Sequence, residues 1–192
     1  MKIENVERPT SLSIDAIFSY FQRLFIMFWI FSFLGHYIEI IWIWVNHLIF
    51  NYPMWIPSTP TILPLAPPYG IGVVVVVLFS LPLIKYYKLN PLAVFVSNFI
   101  ITAIVEYLCA AFLVFFVGYN QFWDYSNQPF NINGYICLKN SVAFGIAVTL
   151  FLYYIYPAYQ KFIQRFNQKQ LDIIFWVMYF SYAIDLIYLN FK

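Results

Sequence analysis

Gly70-Ile71-Gly72-Val73-Val74-Val75-Val76-Val77-Leu78-Phe79-Ser80-Leu81 is the stretch whose reading decides the fold. In water, five successive valines favour a buried strand, because β-branched side chains pack well on a pleated surface and are stiff in a helix. In a bilayer core there is no water to satisfy the backbone, so a segment must bond to itself and helix wins. The rest of the chain chooses between these solvents. Of its 192 residues, 63% are hydrophobic and only 9% are charged, whereas soluble domains carry about 25% charged residues. Such a chain cannot coat a globule in water. It reads as an all-α polytopic membrane protein, one integral domain over residues 1–192, with no polar stretch long enough to fold alone.

Working outward from the valines gives five transmembrane helices, at about 24–46, 70–87, 91–117, 140–156 and 171–190, the fourth stopped by Pro157. Their lengths are close to the roughly 20 residues that cross about 30 Å of hydrocarbon. Ahead of them, within residues 1–23, Leu12, Ile14, Ile17, Phe18 and Phe21 recur at helical spacing and suit a short interfacial helix. The first apolar run is too long for a signal-peptide core and lacks a small-residue cleavage site, so no cleavable signal is expected.

Lysines and arginines orient the spans. Lys2, Arg8, Arg23, Lys85, Lys88, Lys161, Arg165 and Lys169 fall on one side, against Lys139 and Lys192 on the other. The positive-inside rule puts the N-terminus in the cytosol and the C-terminus outside, in a multi-pass protein expected in the plasma membrane. The 158–170 segment then reads as a basic amphipathic helix on anionic lipid or against a partner.

Two loops are expected outside. The 51–69 loop leads through Pro67, Pro68, Tyr69, Gly70 and Gly72 into span two, a tight lead-in that suits a short re-entrant piece. The 118–138 loop holds Trp123, Asp124, Tyr125 and Ser126, then Asn131, Asn133 and Gly134, and reads as an extracytoplasmic cap.

Three acids fall inside spans: Glu39, Glu106 and Asp185. At about 1.5 Å per residue from the cytosolic ends, all three lie roughly 21–24 Å up, in the outer third of the core. No lysine or arginine lies deep in a span to neutralise them. They must face a polar interior, sit protonated, or meet a cation brought by a substrate. His36 shares a helix face with Glu39; Asn98, Thr102 and Glu106 make a polar stripe four residues apart; Ser181 and Asp185 make another. These residues are the expected lining of a polar site beneath the cap. The plainer alternative is that they are interhelical glue, worth about 0.6 kcal/mol per contact on average. Spans two and four begin outside, so their positive dipole ends, with Lys139, sit at the same level and would support the carboxylates or receive an anionic group. Glu39 and Glu106 are each followed by a polar outer loop and a glycine opening a short span, Gly70 and Gly134, a faint internal repeat of the kind transporters use. Cys109 and Cys137 have neither a disulfide framework nor metal-ligand spacing, so no metal or cofactor is expected.

Four stretches together resemble the bacterial CmpB-type ABC-transporter permease family ("type IV"). They are Phe31-Ser32-Phe33-Leu34-Gly35-His36-Tyr37-Ile38-Glu39, Pro67-Pro68-Tyr69-Gly70-Ile71-Gly72, Glu106-Tyr107, and Trp123-Asp124-Tyr125-Ser126 continuing through Asn131-Ile132-Asn133-Gly134 to Cys137-Leu138. The chain departs from the family pattern at His36, where the family has Trp, and at Pro68, where it has Ile. The resemblance implies a permease and names no substrate.

Three functions compete. The first is a permease or transporter subunit whose carboxylate-lined site opens outward. The chain has no G-x-x-x-x-G-K-[ST], so an ATP-driven version needs a separate ATPase on the cytosolic face. The second is a membrane enzyme acting on a lipid or headgroup through Glu39, Glu106, Asp185 and Asp124, although no motif orders them for catalysis. The third is a structural or assembly partner without transport. Expected partners are the lipid bilayer, that ATPase and further copies of the chain, and no nucleic acid.

Overall fold

A computed structural model describes residues 13–51, 54, 62–120 and 123–190. Five helices are long and apolar enough to cross a membrane: Ile14–Phe50, Pro67–Tyr87, Pro91–Val117, Leu138–Ile163 and Gln168–Tyr188. The valine run is helix. The elements are α1 (Ile14–Phe50), α2 (Pro67–Tyr87), α3 (Pro91–Val117), a two-stranded hairpin of β1 (Asn131–Ile132) and β2 (Ile136–Cys137), α4 (Leu138–Leu150), α5 (Tyr156–Ile163) and α6 (Gln168–Asn190).

The first span is longer than its apolar run suggests. α1 has 37 residues, opens at Ser13, whose hydroxyl accepts from the Ala16 N–H, and ends at Asn51 in the left-handed region. Between Ile14 and Phe50 there is no proline and a single glycine, so nothing separates the expected interfacial helix from the span. At about 56 Å, α1 exceeds a hydrocarbon core of about 30 Å. The part of that expectation resting on residues 1–12 lies outside the described residues.

The fourth span also differs. Pro157 has no N–H, and its ring would crowd the carbonyl four residues back. The chain widens into a π-helical turn over Phe151–Ile155, with the Tyr156 N–H donating to the Phe151 carbonyl, and continues as α5. The proline therefore bends the ladder without ending the helix. Tyr156, Tyr159, Gln160 and Ile163 are buried. The expected surface helix at 158–170 is instead the end of this span, a turn, and the start of α6.

The contacts divide the chain into two compact units. One contains α1, residues 62–71 and α6; the other contains residues 72–164. In the first, α1 and α6 run parallel. The Gln22 amide donates to Asp172 at 3.0 Å, the Phe25 ring packs on Phe175 at 5.4 Å and Tyr179 at 6.1 Å, and Phe28 meets Tyr182 at 5.6 Å. Each step along α1 is a step along α6 in the same sense, as five crossings require.

In the second unit α2, α3 and α4 pack as an antiparallel set. Lys88 turns the chain at φ 48, and the Asn90 side chain caps α3 by accepting from the Ala93 N–H at 2.8 Å. Gly145 lets α4 lie against α3, since a Cβ there would stand 3.0 Å from the Phe99 Cβ. The hairpin, absent from the all-α reading, closes on Asn133 and Gly134 at φ 55 and 70, with the Tyr135 N–H donating to the Ile132 carbonyl. Both Asn133 and Gly134 have positive φ, which Asn and Gly accept more readily than other residues, in the three-residue connection between the paired Ile132 and Ile136.

Candidate polar sites in the membrane spans

In the α1–α6 unit, a non-helical strap precedes α2. Of the expected 51–69 loop, residues 52, 53 and 55–61 lie outside the described residues; residues 62–66 form the strap. Both ends of it are tied down. The Asp185 Oδ1 accepts from the Ile62 N–H at 2.6 Å and from the Leu63 N–H at 3.2 Å. The Ser32 carbonyl accepts from the Ala66 N–H at 2.9 Å. Two glycines let the chain come close. A Cβ on Gly35 would fall on the Tyr69 side chain, and one on Gly70 on the Ser32 hydroxyl and the Phe28 carbonyl. Gly72 faces open space. Pro67 and Pro68 open α2 without N–H groups, and the Tyr69 N–H is taken by the Ala66 carbonyl at 3.1 Å. The positive end of α2 thus has few donors left for an anion.

Asp185 is 1% exposed, and its Oδ2 has no partner among the described residues. The same holds for the Ser32 hydroxyl and for His36 Nδ1, on residues 0% and 8% exposed. Glu39 is half-buried and makes no hydrogen bond among the described residues, to His36 or to any other group. A shared helix face has brought Glu39 and His36 onto one side of α1 without bonding them.

In the other unit, Glu106 lies under the cap. The Tyr125 hydroxyl donates to its Oε1 at 3.1 Å, while Oε2 is buried without a partner among the described residues. A second tether is adjacent: the Asn133 amide donates to the Tyr107 hydroxyl at 2.8 Å, and the Tyr107 and Tyr135 rings lie 5.3 Å apart. Neighbouring residues of α3 therefore hold both halves of the cap.

The cap is folded by its own polar residues. The Asp124 Oδ1 accepts from the Ser126 N–H at 2.8 Å and from its hydroxyl at 2.6 Å. The Asn131 amide donates to the Ser126 and Gln128 carbonyls, its own oxygen accepts from the Gly134 N–H, and the Trp123 indole donates to the Tyr135 carbonyl at 2.8 Å. The two bonds from Ser126, side chain first and backbone second, hold the Asp124 carboxyl below its ordinary value.

The rest of the α3 stripe is occupied differently. The Ser80 hydroxyl donates to Asn98 Oδ1 at 2.6 Å, and the Asn98 amide donates to the Thr149 hydroxyl at 3.0 Å. Thr102 and Thr149 donate back to the Asn98 and Gly145 carbonyls. Asn98 is thus joined to α2 and α4 through Ser80 and Thr149, which the sequence did not single out, while Thr102 bonds only to the backbone of its own helix. Glu106, one turn on, is bonded to the cap. Ser80 and Thr149 carried no separate signal, being single hydroxyls in apolar runs.

With this geometry the chain can be set beside known proteins. The family described as "Putative ABC-transporter type IV" matches residues 26–189, which takes in most of the first span and the whole of the other four. The chain belongs to this family. No curated protein and no solved structure matches it. The match covers all four stretches on which the resemblance rests. In this ABC-transporter family member, two of those stretches carry the close-packed glycines, Gly35 and Gly70. Two others carry the partners Glu106 and Tyr125, 19 residues apart.

Proposed function

We propose that the protein is the membrane subunit of a transporter, with its N-terminus in the cytosol and its cap and strap on the outer side. The family and the five spans fit a transporter's membrane part. The observation that carries the finer reading is the bond between a cap tyrosine and an intramembrane carboxylate, Tyr125 to Glu106, beside an oxygen of the same carboxylate with no partner among the described residues. A purely structural acid would have both oxygens bonded, because an unmet buried polar atom is destabilising by about 1–3 kcal/mol. Glu39 and Asp185 in the α1–α6 unit, and Glu106 in the other, are the acidic groups offered to a solute that enters from outside. Energy comes from a separate ATPase on the cytosolic face, since the chain has no phosphate-binding loop of its own.

Glu106→Gln removes the charge and keeps the shape. It is expected to reduce transport at least about tenfold, as loss of a charge-assisted contact does, with membrane insertion and amount unchanged. Tyr125→Phe should give a smaller loss of the same kind. Full transport by Glu106→Gln would sink the reading. Co-purification from native membranes tests the ATPase: a chain that never brings one down, under conditions that preserve known complexes, is not an ATP-driven subunit.

A further inference from the structure

Besides the Trp29 Nε1, which can only donate, three buried atoms of the α1–α6 unit have no partner among the described residues: the Asp185 Oδ2, the Ser32 Oγ and the His36 Nδ1. They lie close together along the fold. Phe28 of α1 meets Tyr182 of α6, and the two helices run parallel, so one turn further brings Ser32 level with Asp185. The strap ties the same two residues together, through Ala66 on Ser32 and Leu63 on Asp185. His36 is one turn beyond Ser32 on the same stripe of α1. The Ser32 hydroxyl is turned toward Gly70, at the head of α2.

The chemistry of the three atoms is alike. A carboxylate oxygen accepts only, a hydroxyl accepts through its lone pairs, and a neutral imidazole with its proton on Nε2 accepts through Nδ1. Among the described residues of this unit, no lysine or arginine is bonded to this carboxylate. Arg23, the described arginine of α1, lies about 14 Å back along the axis from Ser32, Lys169 lies about 24 Å back from Asp185 on α6, and residues 62–71 contain neither Lys nor Arg. A single buried negative charge is balanced by one positive charge. A divalent ion would leave the site charged in a low-dielectric surrounding, and among the described residues no three His, Cys, Asp or Glu side chains gather to hold one.

We propose that Ser32, His36 and Asp185 form a binding site for an ammonium group, either ammonium ion or the primary amine of a small solute. One positive charge meets one carboxylate, and three N–H donors meet three acceptors that otherwise have none. The Phe28 and Tyr182 rings meet one turn to the cytosolic side of these residues and close the site from below. Asp185 has two jobs on two oxygens: Oδ1 holds the strap and Oδ2 binds the ligand. The site is a claim about binding; its use as a substrate site rests on the transporter reading.

The test uses purified full-length protein in lipid nanodiscs. Calorimetric titrations with ammonium, methylammonium, tetramethylammonium and sodium chlorides are compared at fixed pH and matched ionic strength. Ammonium and methylammonium are expected to bind saturably, while tetramethylammonium, which has no N–H, does not. Binding of methylammonium as tight as ammonium points to an amine solute, and binding of ammonium alone to the free ion. Asp185→Asn keeps an oxygen for the Ile62 and Leu63 N–H groups while removing the charge, and should weaken binding by about tenfold or more; Ser32→Ala should weaken it by a smaller factor. Saturable heat with sodium alone, equal binding by tetramethylammonium, or unaltered affinity in both variants overturns the proposal. If Asp185→Asn does not fold, Ser32→Ala and His36→Phe decide it. Ammonium binding in a protein that transports nothing would leave this site standing and remove the transporter reading instead.

Discussion

Asp124 is outside the membrane spans and holds the cap's first turn through both groups of Ser126. The folded cap lowers its pKa, so the ionised carboxylate contributes stability above the ordinary aspartate value of about 3.9, and that contribution is lost as pH falls through the lowered folded value. Hydrogen exchange at the Ser126 amide should show constant protection down to this range and then a drop, with Trp123 fluorescence changing in step. Asp124→Asn should flatten the profile, since the amide still accepts from Ser126 but does not titrate. A drop of equal size in the variant would assign the effect to another group. Gly134, in the hairpin turn, has φ 70, and a Cβ there would lie 2.9 Å from Asp124 Oδ1, so the Asn-Gly pair and the aspartate are packed against each other. Asn133-Gly134 is a hairpin signal in any solvent, although the all-α reading took these residues only as part of a polar cap. The partners of Glu106 and Asp185 were not legible in the sequence. Depth follows from counting along a helix, whereas the bond from Asp185 to Ile62 joins residues 123 apart.

Among the elements, α2, α3 and α4 are held at one level by the chain Ser80–Asn98–Thr149. Between apolar helices in lipid there is no hydrophobic drive to associate, so close packing at Gly145 and these hydrogen bonds carry the contact. Asn98→Ala removes two interhelical bonds and strands the Ser80 hydroxyl, which is 1% exposed. A loss of about 1–2 kcal/mol is expected, read as a lower midpoint in SDS-titration unfolding; an unchanged midpoint would mean that the network does not hold the helices. The spacing Asn98, Thr102, Glu106 correctly placed three polar groups on one face of α3. It did not say that the first would meet neighbouring helices, the second its own backbone and the third a loop. Pro157 shows the same limit. Proline removes a donor wherever it stands, but whether a helix stops or widens around it depends on the packing of Tyr156, Tyr159 and Ile163.

For the molecule as a whole, the proposed orientation assigns a side to every charged loop. In a background with Cys109 and Cys137 replaced, Lys139→Cys should react with a membrane-impermeant maleimide in intact cells, and Lys161→Cys only after the cytosolic side is opened. Both side chains are exposed in the fold. The reverse pattern would invert the topology and move the cap to the cytosol. Parallel α1 and α6 agree with an odd number of crossings in either orientation, so labelling supplies what helix direction does not. The sequence by itself determined the solvent, the helical class and the number of spans. These follow from the requirement that a backbone in lipid satisfy itself, which each segment meets locally. Only the tertiary structure decided that Asp185 grips a strap, that Glu106 meets the cap, and that Asn98 joins three helices. Those outcomes depend on side chains far apart in the chain meeting within hydrogen-bond distance, and periodicity carries direction and depth but not that coincidence.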